Sequence, residues 1–295
     1  MSRFTAINLS EMTPPDIVEE LAFEAILTDM CDDLVARFPL IEGVIDLESE
    51  PARKLLEAFA YREMLLRARI NDAARAVMVA SATGNDLDHL AALFSVSRMR
   101  VEDAAGDLVN ESDTRLRRRV QLAPDAFSVA GPKGAYVYHA LTRADWARDA
   151  SAIMTKPGRV RVSILRSGDQ PRPTPDELEV IRMALVDNDV RPLTDMVEVL
   201  APNVFEARIK ATITLYPGPD QNTVLAAAQT SLTDWLEANR MLGMNLRRSA
   251  IYSRLHVEGV HSVDLIEPAE DLVLGETGVY AIKEVVLKLA YNRDE

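Results

Sequence analysis

The stretch TGNDLDHLAALF, residues 83–94, separates two helical patterns and decides how the first part of the chain is interpreted. Gly84 suits the left-handed residue that ends a helix, and Asp86 suits the N-cap of the next one. Asp88 would then lie in a first turn, where the helix dipole favours a negative charge. Together with His89 these residues resemble an acid–base or metal site, but capping accounts for their polar groups. We therefore interpret the stretch as a corner between helices.

The residues before this corner predict a long amphipathic helix. Ser49 suits its N-cap and Pro51 its first turn, and an apolar stripe follows. A helix from Ser49 to Ala82 would be about 50 Å long, more than a small domain covers, so we expect part of the stripe to pack on another chain. The residues that we expect at this interface are Leu55, Leu56, Phe59, Leu66, Ile70, Val77, Leu87, Leu90, Phe94, Arg117 and Arg118.

The remaining pattern predicts an α+β protein with three domains. Residues 1–125 form a helical region, with a further helix from Asp16 to about Phe38, a connector at 95–112 and a helical pattern over 113–145 that is interrupted at Pro124 and at Gly131-Pro132. Residues 126–201 and 202–295 form two small α+β domains with mostly antiparallel sheets. Their predicted strands are Asp149–Met154, Arg159–Leu165, Asp195–Leu200, Val204–Tyr216, Val260–Ile266 and Ala281–Tyr291. Their predicted helices begin near Pro175 and cover 222–240 and 246–257.

Composition narrows the function classes. The 295 residues carry a net charge of -13 and a single cysteine, which excludes an internal disulfide framework and a multi-cysteine zinc site. No secretory signal and no membrane-spanning run is evident, so we expect a chain made and folded in the cytoplasm, with no membrane partner. The acidic balance disfavours nucleic-acid binding. The basic cluster Arg115–Arg119 is interpreted as a solvated face, with a docking patch for an acidic neighbour as the alternative.

The sequence offers no catalytic, cofactor-binding or metal-binding set. It contains no phosphate-cradling glycine loop and no zinc or calcium spacing. His139 is interpreted as a half-buried packing residue, and His256 and His261 as lying across a helix-to-strand turn. Cys31 has carboxylates nearby that raise a thiol pKa, so we do not expect an activated nucleophile.

Three stretches occur in a characteristic order: GNDLDHLA at 84–91, ESDTRLRRRVQLAP at 111–124, and AGPKGAY at 130–136, which leads through Asp149-Ala150 to PGRV at 157–160. This ordered set resembles the baseplate J-like family of contractile phage tails and related particles. The resemblance covers nearly the whole chain and is looser beyond about Pro202.

The resemblance implies a structural wedge subunit of a phage or tailocin-type baseplate. In such a wedge, two copies of the protein associate with one copy of a different wedge protein through a helical bundle. The wedges join in a ring around the hub and connect to the sheath. The implied partners are therefore a second copy, another baseplate wedge protein, and sheath-initiator-type and hub proteins.

Two other function classes remain open from the residues alone. A small-molecule-binding or enzymatic α+β protein would have a pocket between the two C-terminal domains, with His256, Glu258 or His261 facing inward. A nucleic-acid adaptor would use the Arg115–Arg119 cluster. The absence of a recognisable chemical motif favours the assembly function over both.

Overall fold

The computed structural model describes residues 7, 9, 12–13, 15–102, 107–128, 130–187, 190–192, 194–217 and 220–290. The chain divides into two compact units. The first, called here the helical unit, contains the described residues from Ile7 to Arg98 together with Ser112–Arg117. The second, the α+β unit, contains Met99–Glu111 and the residues from Arg118 onward. The predicted α+β class is confirmed, and the predicted division into three domains stays a prediction.

The helical unit is built on a pair of helices, α1 (Phe23–Arg37) and α2 (Pro51–Ala76), with a 3-10 turn at Pro39–Ile41 between them. α1 begins seven residues later than predicted. The core of the unit combines residues from both helices and from the loop that joins them: Ile26, Leu27, Cys31, Ile45 and Ala60. The buried amide of Asn71 accepts a hydrogen bond from Glu19 N and donates one to Glu19 O, at 3.1 and 2.9 Å. The segment before α1 is thereby fixed to α2.

α2 is shorter than predicted. Its N-cap is Glu50, whose carboxylate accepts from Ala52 N at 3.5 Å, and not Ser49. The helix has 26 residues and is about 39 Å long, because it ends at Ala76. The Arg117 guanidinium binds the carbonyls of Val79 and Ala82 at 2.6 and 2.7 Å and holds this segment in a non-helical turn.

The corner also differs in detail from the prediction. Gly84 has a left-handed φ of 54°, yet it is the first residue of α3 (Gly84–Ala92) and not the end of α2. The N-cap is Thr83, and Asp86 lies in the first turn. Asp113 serves the helix start instead, since its carboxylate accepts from Gly84 N at 3.1 Å. A residue 29 positions away therefore performs the capping that we assigned to Asp86.

The α+β unit begins with a hairpin of β1 (Arg100–Glu102) and β2 (Leu108–Asn110), where we predicted an irregular connector. Helix α4 (Asp113–Ala126) continues through Pro124, which therefore does not interrupt it, and α5 (Lys133–Arg143) begins after Gly131-Pro132. The first larger sheet has the order β3 (Ala147–Lys156), β4 (Arg159–Arg166), β5 (Met196–Leu200). β3 is antiparallel to β4 and β5 is parallel to it.

Helix α6 (Pro175–Val186) connects β4 to β5 and begins at the predicted position. Thr174 and Glu177 form a reciprocal capping box at its start. Val160, Val162 and Ile164 alternate along β4 and form one core cluster with residues of α5 and α6. The period-2 pattern thus defines the buried face of this sheet.

The second larger sheet has the order β7 (Val260–Glu267), β6 (Asn203–Leu215), β8 (Gly278–Ala290). The long β6 is antiparallel to β7 and parallel to β8. Its inward residues Ile209, Ala211 and Ile213 form a core cluster with α7 (Gln221–Ala238) and α8 (Arg248–Leu255). Antiparallel ladders are in the majority over the described sheets, although each three-stranded sheet is mixed.

Candidate subunit interface

One face of α2 presents apolar side chains to solvent. Leu55, Phe59, Leu66, Ile70 and the C-cap residue Val77 are each between 56% and 71% exposed. They follow one another at intervals of four, seven, four and seven residues. At about 100° per residue, they lie within an arc of roughly 60° over about 33 Å. We call these five residues the α2 stripe.

The other face of α2 is covered by the unit's own core. Ala60 is fully buried and Asn71 nearly so, and Met64 packs against the cluster formed with α1. Leu56 belongs to this covered side, because it also packs against that cluster. It is therefore an internal contact and does not extend the α2 stripe.

The three corner residues in the predicted interface set, Leu87, Leu90 and Phe94, expose little apolar surface. Leu87 is fully buried along with Ala91, since both lie on the inner face of α3. Leu90 and Phe94 are half-buried. Leu93, which was not in the predicted set, is 77% exposed.

The polar residues of the corner form a structural network. Arg98 donates to Asp88 at 2.8 Å and to Asp113 at 2.7 Å. The hydrogen bond from Gly84 N, followed by the interaction with Arg98, lowers the pKa of Asp113 below its ordinary value. Asp88 is thus an ion-pair partner within the unit, and His89 is exposed. These contacts give Asp88 and Asp113 structural roles, so a catalytic role is not needed to explain them.

The arginine cluster is used inside the protein. Arg117 holds the turn after α2, and Arg119 is buried and donates to Glu111 at 2.6 Å. Arg118 is hydrogen-bonded to the buried Asp149. Because consecutive helical residues point about 100° apart, neighbouring arginines reach different segments. The interpretation of a solvated face is wrong for Arg119, and Arg117 and Arg118 have their guanidinium groups engaged internally.

Asp149 is a structural residue that the sequence did not single out for a role. Its carboxylate is buried and accepts from Ala150 N and Leu242 N, both at 2.7 Å, in addition to Arg118. It therefore links β3 to the segment after α7. The signal available in the sequence was an acidic residue inside a predicted apolar strand, where an unpaired charge would be costly.

The three residues that the alternative small-molecule site was expected to turn inward do not face inward. His256, Glu258 and His261 are all exposed. His139 is half-buried as predicted, and burial, with a smaller effect of Arg143, lowers its pKa. Burial also raises the pKa of the Cys31 thiol, more than the nearby carboxylates do.

The part of the chain that the structure describes contains no group of three or more His, Cys, Asp or Glu residues placed to hold a metal ion. None of its helices combines the length and the apolar character needed to cross a bilayer.

Comparison with known proteins identifies the family. Residues 48–105 match the model of the baseplate J-like N-terminal domain, and residues 207–288 match that of the baseplate J-like protein C-terminal domain. The chain is 42% identical to "Baseplate protein J" of Escherichia phage P2 over 282 residues, which is 92% of this chain and 93% of that protein. The chain belongs to the baseplate J-like family. The resemblance that the ordered motifs predicted is confirmed.

The two family models fall on the elements described above. The N-terminal model covers α2, the corner and β1, and so contains the whole α2 stripe. The C-terminal model runs from β6 into β8. A chain of the cryo-EM structure of the anti-feeding prophage (AFP) baseplate, 6-fold symmetrised, is similar at 14% identity and a TM-score of 0.40. That match covers 60% of this chain and 43% of the other, so this chain spans less than half the length of that structure's chain.

Proposed function

We propose that this protein is a structural subunit of a contractile-tail baseplate, and that it assembles through the α2 stripe. Membership of the baseplate J-like family supports the particle, and the exposed stripe supports the mode of assembly. A large apolar stripe flanked by charged residues is typical of a protein–protein contact. The single observation that carries the proposal is that these five side chains lack an apolar covering within the chain's described residues.

The exposed area of the α2 stripe indicates how much free energy its burial would contribute to association. Fully burying one such side chain is worth about 1.5–3 kcal/mol, so covering the exposed part of five would contribute roughly 5–9 kcal/mol before the cost of association. A micromolar complex needs about 8 kcal/mol net. The stripe alone therefore does not hold a stable complex, and other surfaces of the subunit take part.

The finer features of the proposal follow from the family resemblance. Two copies join one copy of a different wedge protein, the wedges form a ring around the hub, and the ring connects to the sheath through a sheath-initiator-type protein. Assembly takes place in the cytoplasm, and the subunit has a structural and not a catalytic role. A baseplate subunit of this kind needs defined contacts and no reaction.

The experiment is co-expression of the chain with the neighbouring baseplate genes, followed by electron microscopy of the particles. The double variant Leu66→Asp/Ile70→Asp places two carboxylates in the centre of the α2 stripe. We expect no complete baseplates, because burying these charges opposes association.

A matched control lies on the same helix. Tyr61 and Leu65 are also about half exposed, but lie roughly 80–120° from the Leu55 edge of the stripe. Tyr61→Asp/Leu65→Asp should therefore allow assembly. Normal particles from Leu66→Asp/Ile70→Asp would show that the stripe is not an assembly surface. Unchanged tryptophan fluorescence in both variants would exclude damage to the α+β unit.

A further inference from the structure

We infer that the α2 stripe binds an acidic amphipathic helix of a different chain, aligned along α2 in a nearly straight or right-handed pairing. This inference rests on the proposed function and deepens it, because it names the chemistry and the geometry of the partner. Two independent observations support it: the spacing of the stripe and the arginines beside it.

The spacing sets the geometry. Leu55, Leu66 and Val77 are eleven residues apart, and so are Phe59 and Ile70. An 11-residue repeat corresponds to about 3.67 residues per turn, whereas the heptads of left-handed coiled coils correspond to 3.5. A partner that follows the whole stripe therefore runs alongside α2 without the left-handed wrapping of a heptad coiled coil.

The charges set the chemistry. α2 contains six Arg or Lys residues and only three carboxylates, in a chain whose net charge is -13. Each of the three carboxylates, on Glu57, Glu63 and Asp72, already pairs with a basic residue of the same helix. The helix therefore has more cations than its own anions can neutralise.

Two of these cations stand beside the stripe. Arg62 and Arg69 are exposed and have neither a hydrogen bond nor an ion pair within the described residues. On the helix they lie about 20° and 40° beyond Leu55, along one edge of the stripe. A helix that covers the stripe excludes water from this edge, so it is favoured when it brings carboxylates to the two guanidinium groups.

A second copy of α2 is a poor occupant of the same surface. In an antiparallel pair, like edges face each other, so Arg62 and Arg69 would meet their own equivalents and repel. In a parallel pair they would approach the edge that carries Glu63, which already accepts two hydrogen bonds from Arg67, at 2.5 and 2.9 Å. The partner is therefore a chain with its own free carboxylates, and a second copy of this subunit attaches elsewhere.

The test uses the full-length chain and synthetic 26-residue helical peptides as probes. The first peptide has Leu at the four–seven spacing with Glu at the flanking positions. The second replaces those Glu residues by Lys, and the third keeps Glu but moves Leu to heptad spacing. Binding is measured by fluorescence anisotropy at low and at high salt. We expect the first peptide to bind about tenfold or more tightly than the other two, with a preference over the Lys peptide that weakens in salt.

Charge-reversal variants decide whether the two arginines are responsible. Arg62→Glu/Arg69→Glu should reverse the preference between the Glu and Lys peptides. Lys54→Glu/Arg75→Glu changes the net charge equally on another side of α2 and should keep the original preference. Equal binding of the two peptides, or the same preference in all three proteins, would overturn the inference. So would self-association of the chain through the stripe, seen by sedimentation together with loss of peptide binding.

Failure here is distinguishable from failure of the proposed function. If Leu66→Asp/Ile70→Asp abolishes baseplates while Arg62→Glu/Arg69→Glu leaves peptide preference unchanged, the stripe assembles but its partner is not selected by charge. If Leu66→Asp/Ile70→Asp forms normal particles, the proposed assembly surface is itself wrong.

Discussion

Breaking the buried ion pair between Glu111 and Arg119 should strongly destabilise the α+β unit. The two side chains are 0% and 3% exposed, and their charged atoms are 2.6 Å apart. Removing one partner of such a pair leaves an uncompensated buried charge and costs about 3–5 kcal/mol. We expect this loss for Glu111→Ala. Arg119 would retain a hydrogen bond to Thr142 Oγ1, which at 3.4 Å does not replace the carboxylate.

A conservative variant separates the charge from the hydrogen bonds. Glu111→Gln keeps an oxygen that can accept from Arg119 and from Met99 N, whose present bond to the carboxylate is 3.1 Å. We therefore expect a smaller cost of about 1–3 kcal/mol, the usual range for a weakened buried polar contact. The geometry therefore predicts that Glu111→Ala loses more stability than Glu111→Gln.

Urea unfolding followed by tryptophan fluorescence measures this change selectively. Both tryptophans, Trp146 and Trp235, pack against cores of the α+β unit. A double-mutant cycle of Glu111→Ala and Arg119→Met should give a coupling of at least about 2 kcal/mol, because the double variant removes both charges of the pair.

The control cycle uses an exposed pair in the same unit. Lys283 and Glu206 are 3.0 Å apart on β8 and β6, with side chains 56% and 66% exposed. Exposed pairs contribute about 0.2–1 kcal/mol. A coupling for Glu111 and Arg119 no larger than that of this control, or a cost of Glu111→Ala below about 1 kcal/mol, would refute the reasoning from burial.

Three further predictions follow from single sites. Burial lowers the pKa of His139 below its ordinary value of 6.5, so the unfolded chain binds the proton more readily. The contribution of His139 to the stability of the α+β unit should therefore be constant above about pH 6.5 and be lost as the pH drops toward the folded-state pKa. Urea midpoints should show this slope, reduced in His139→Gln and retained in the exposed His256→Gln. In Gly134→Ala the new Cβ would lie 1.8 Å from Asp125 Oδ2, so we expect the free energy of unfolding to fall by about 1–3 kcal/mol. Adding Asp125→Ala should recover part of this loss in urea unfolding. An unchanged stability of Gly134→Ala would contradict this prediction. Cys31 is buried, so its thiol should react slowly with maleimide when the reaction is followed by mass spectrometry. A substitution that opens the core of the helical unit should raise this reaction rate, and an unaltered rate would contradict the placement of Cys31.

The elements that could be predicted are those specified by local physics. The bounds of the long strand β6 and the start of α6 are each specified by residues a few positions apart, and both appear in the structure close to the predicted positions. The order of the strands within each sheet could not be predicted from local patterns. The parallel pairing of β5 with β4 and of β8 with β6 joins segments separated by whole helices, and no pattern within either strand indicates its partner.

The corner and the arginine cluster show why local rules failed where they did. Asp86 is chemically suited to a cap, but Asp113 supplies the bond to Gly84 N through a fold contact that the sequence does not display. α2 is compatible with helix up to Ala82, but Arg117 stabilises the carbonyls of a turn there. In both cases a distant charged side chain outweighed a local preference. A run of arginines next to Glu111 and Asp113 was a signal for internal pairing, but the sequence analysis interpreted this cluster as a solvated face.

The exposed apolar face of α2 was predictable in its position and not in its membership. Periodicity identified α2 as amphipathic, but apolar residues occur on more than one side of it, and only the position of α1 shows which side is covered. Leu56 and Leu55 are adjacent in sequence, yet one packs on the core and the other is 61% exposed. The interface set itself stays a prediction until assembly is measured.

The location of unpaired charge carries more information about assembly than the total charge does. A net charge of -13 suggests that the chain attracts basic partners, and the dense arginine cluster suggests where an acidic one would dock. Both expectations treat charges as free, whereas Arg117, Arg118 and Arg119 are engaged inside the protein. Arg62 and Arg69 are fewer and less conspicuous, but they are exposed beside an uncovered apolar stripe. Because a charge favours association only where its attraction is not already satisfied, an acidic chain can present a basic contact at its proposed assembly surface.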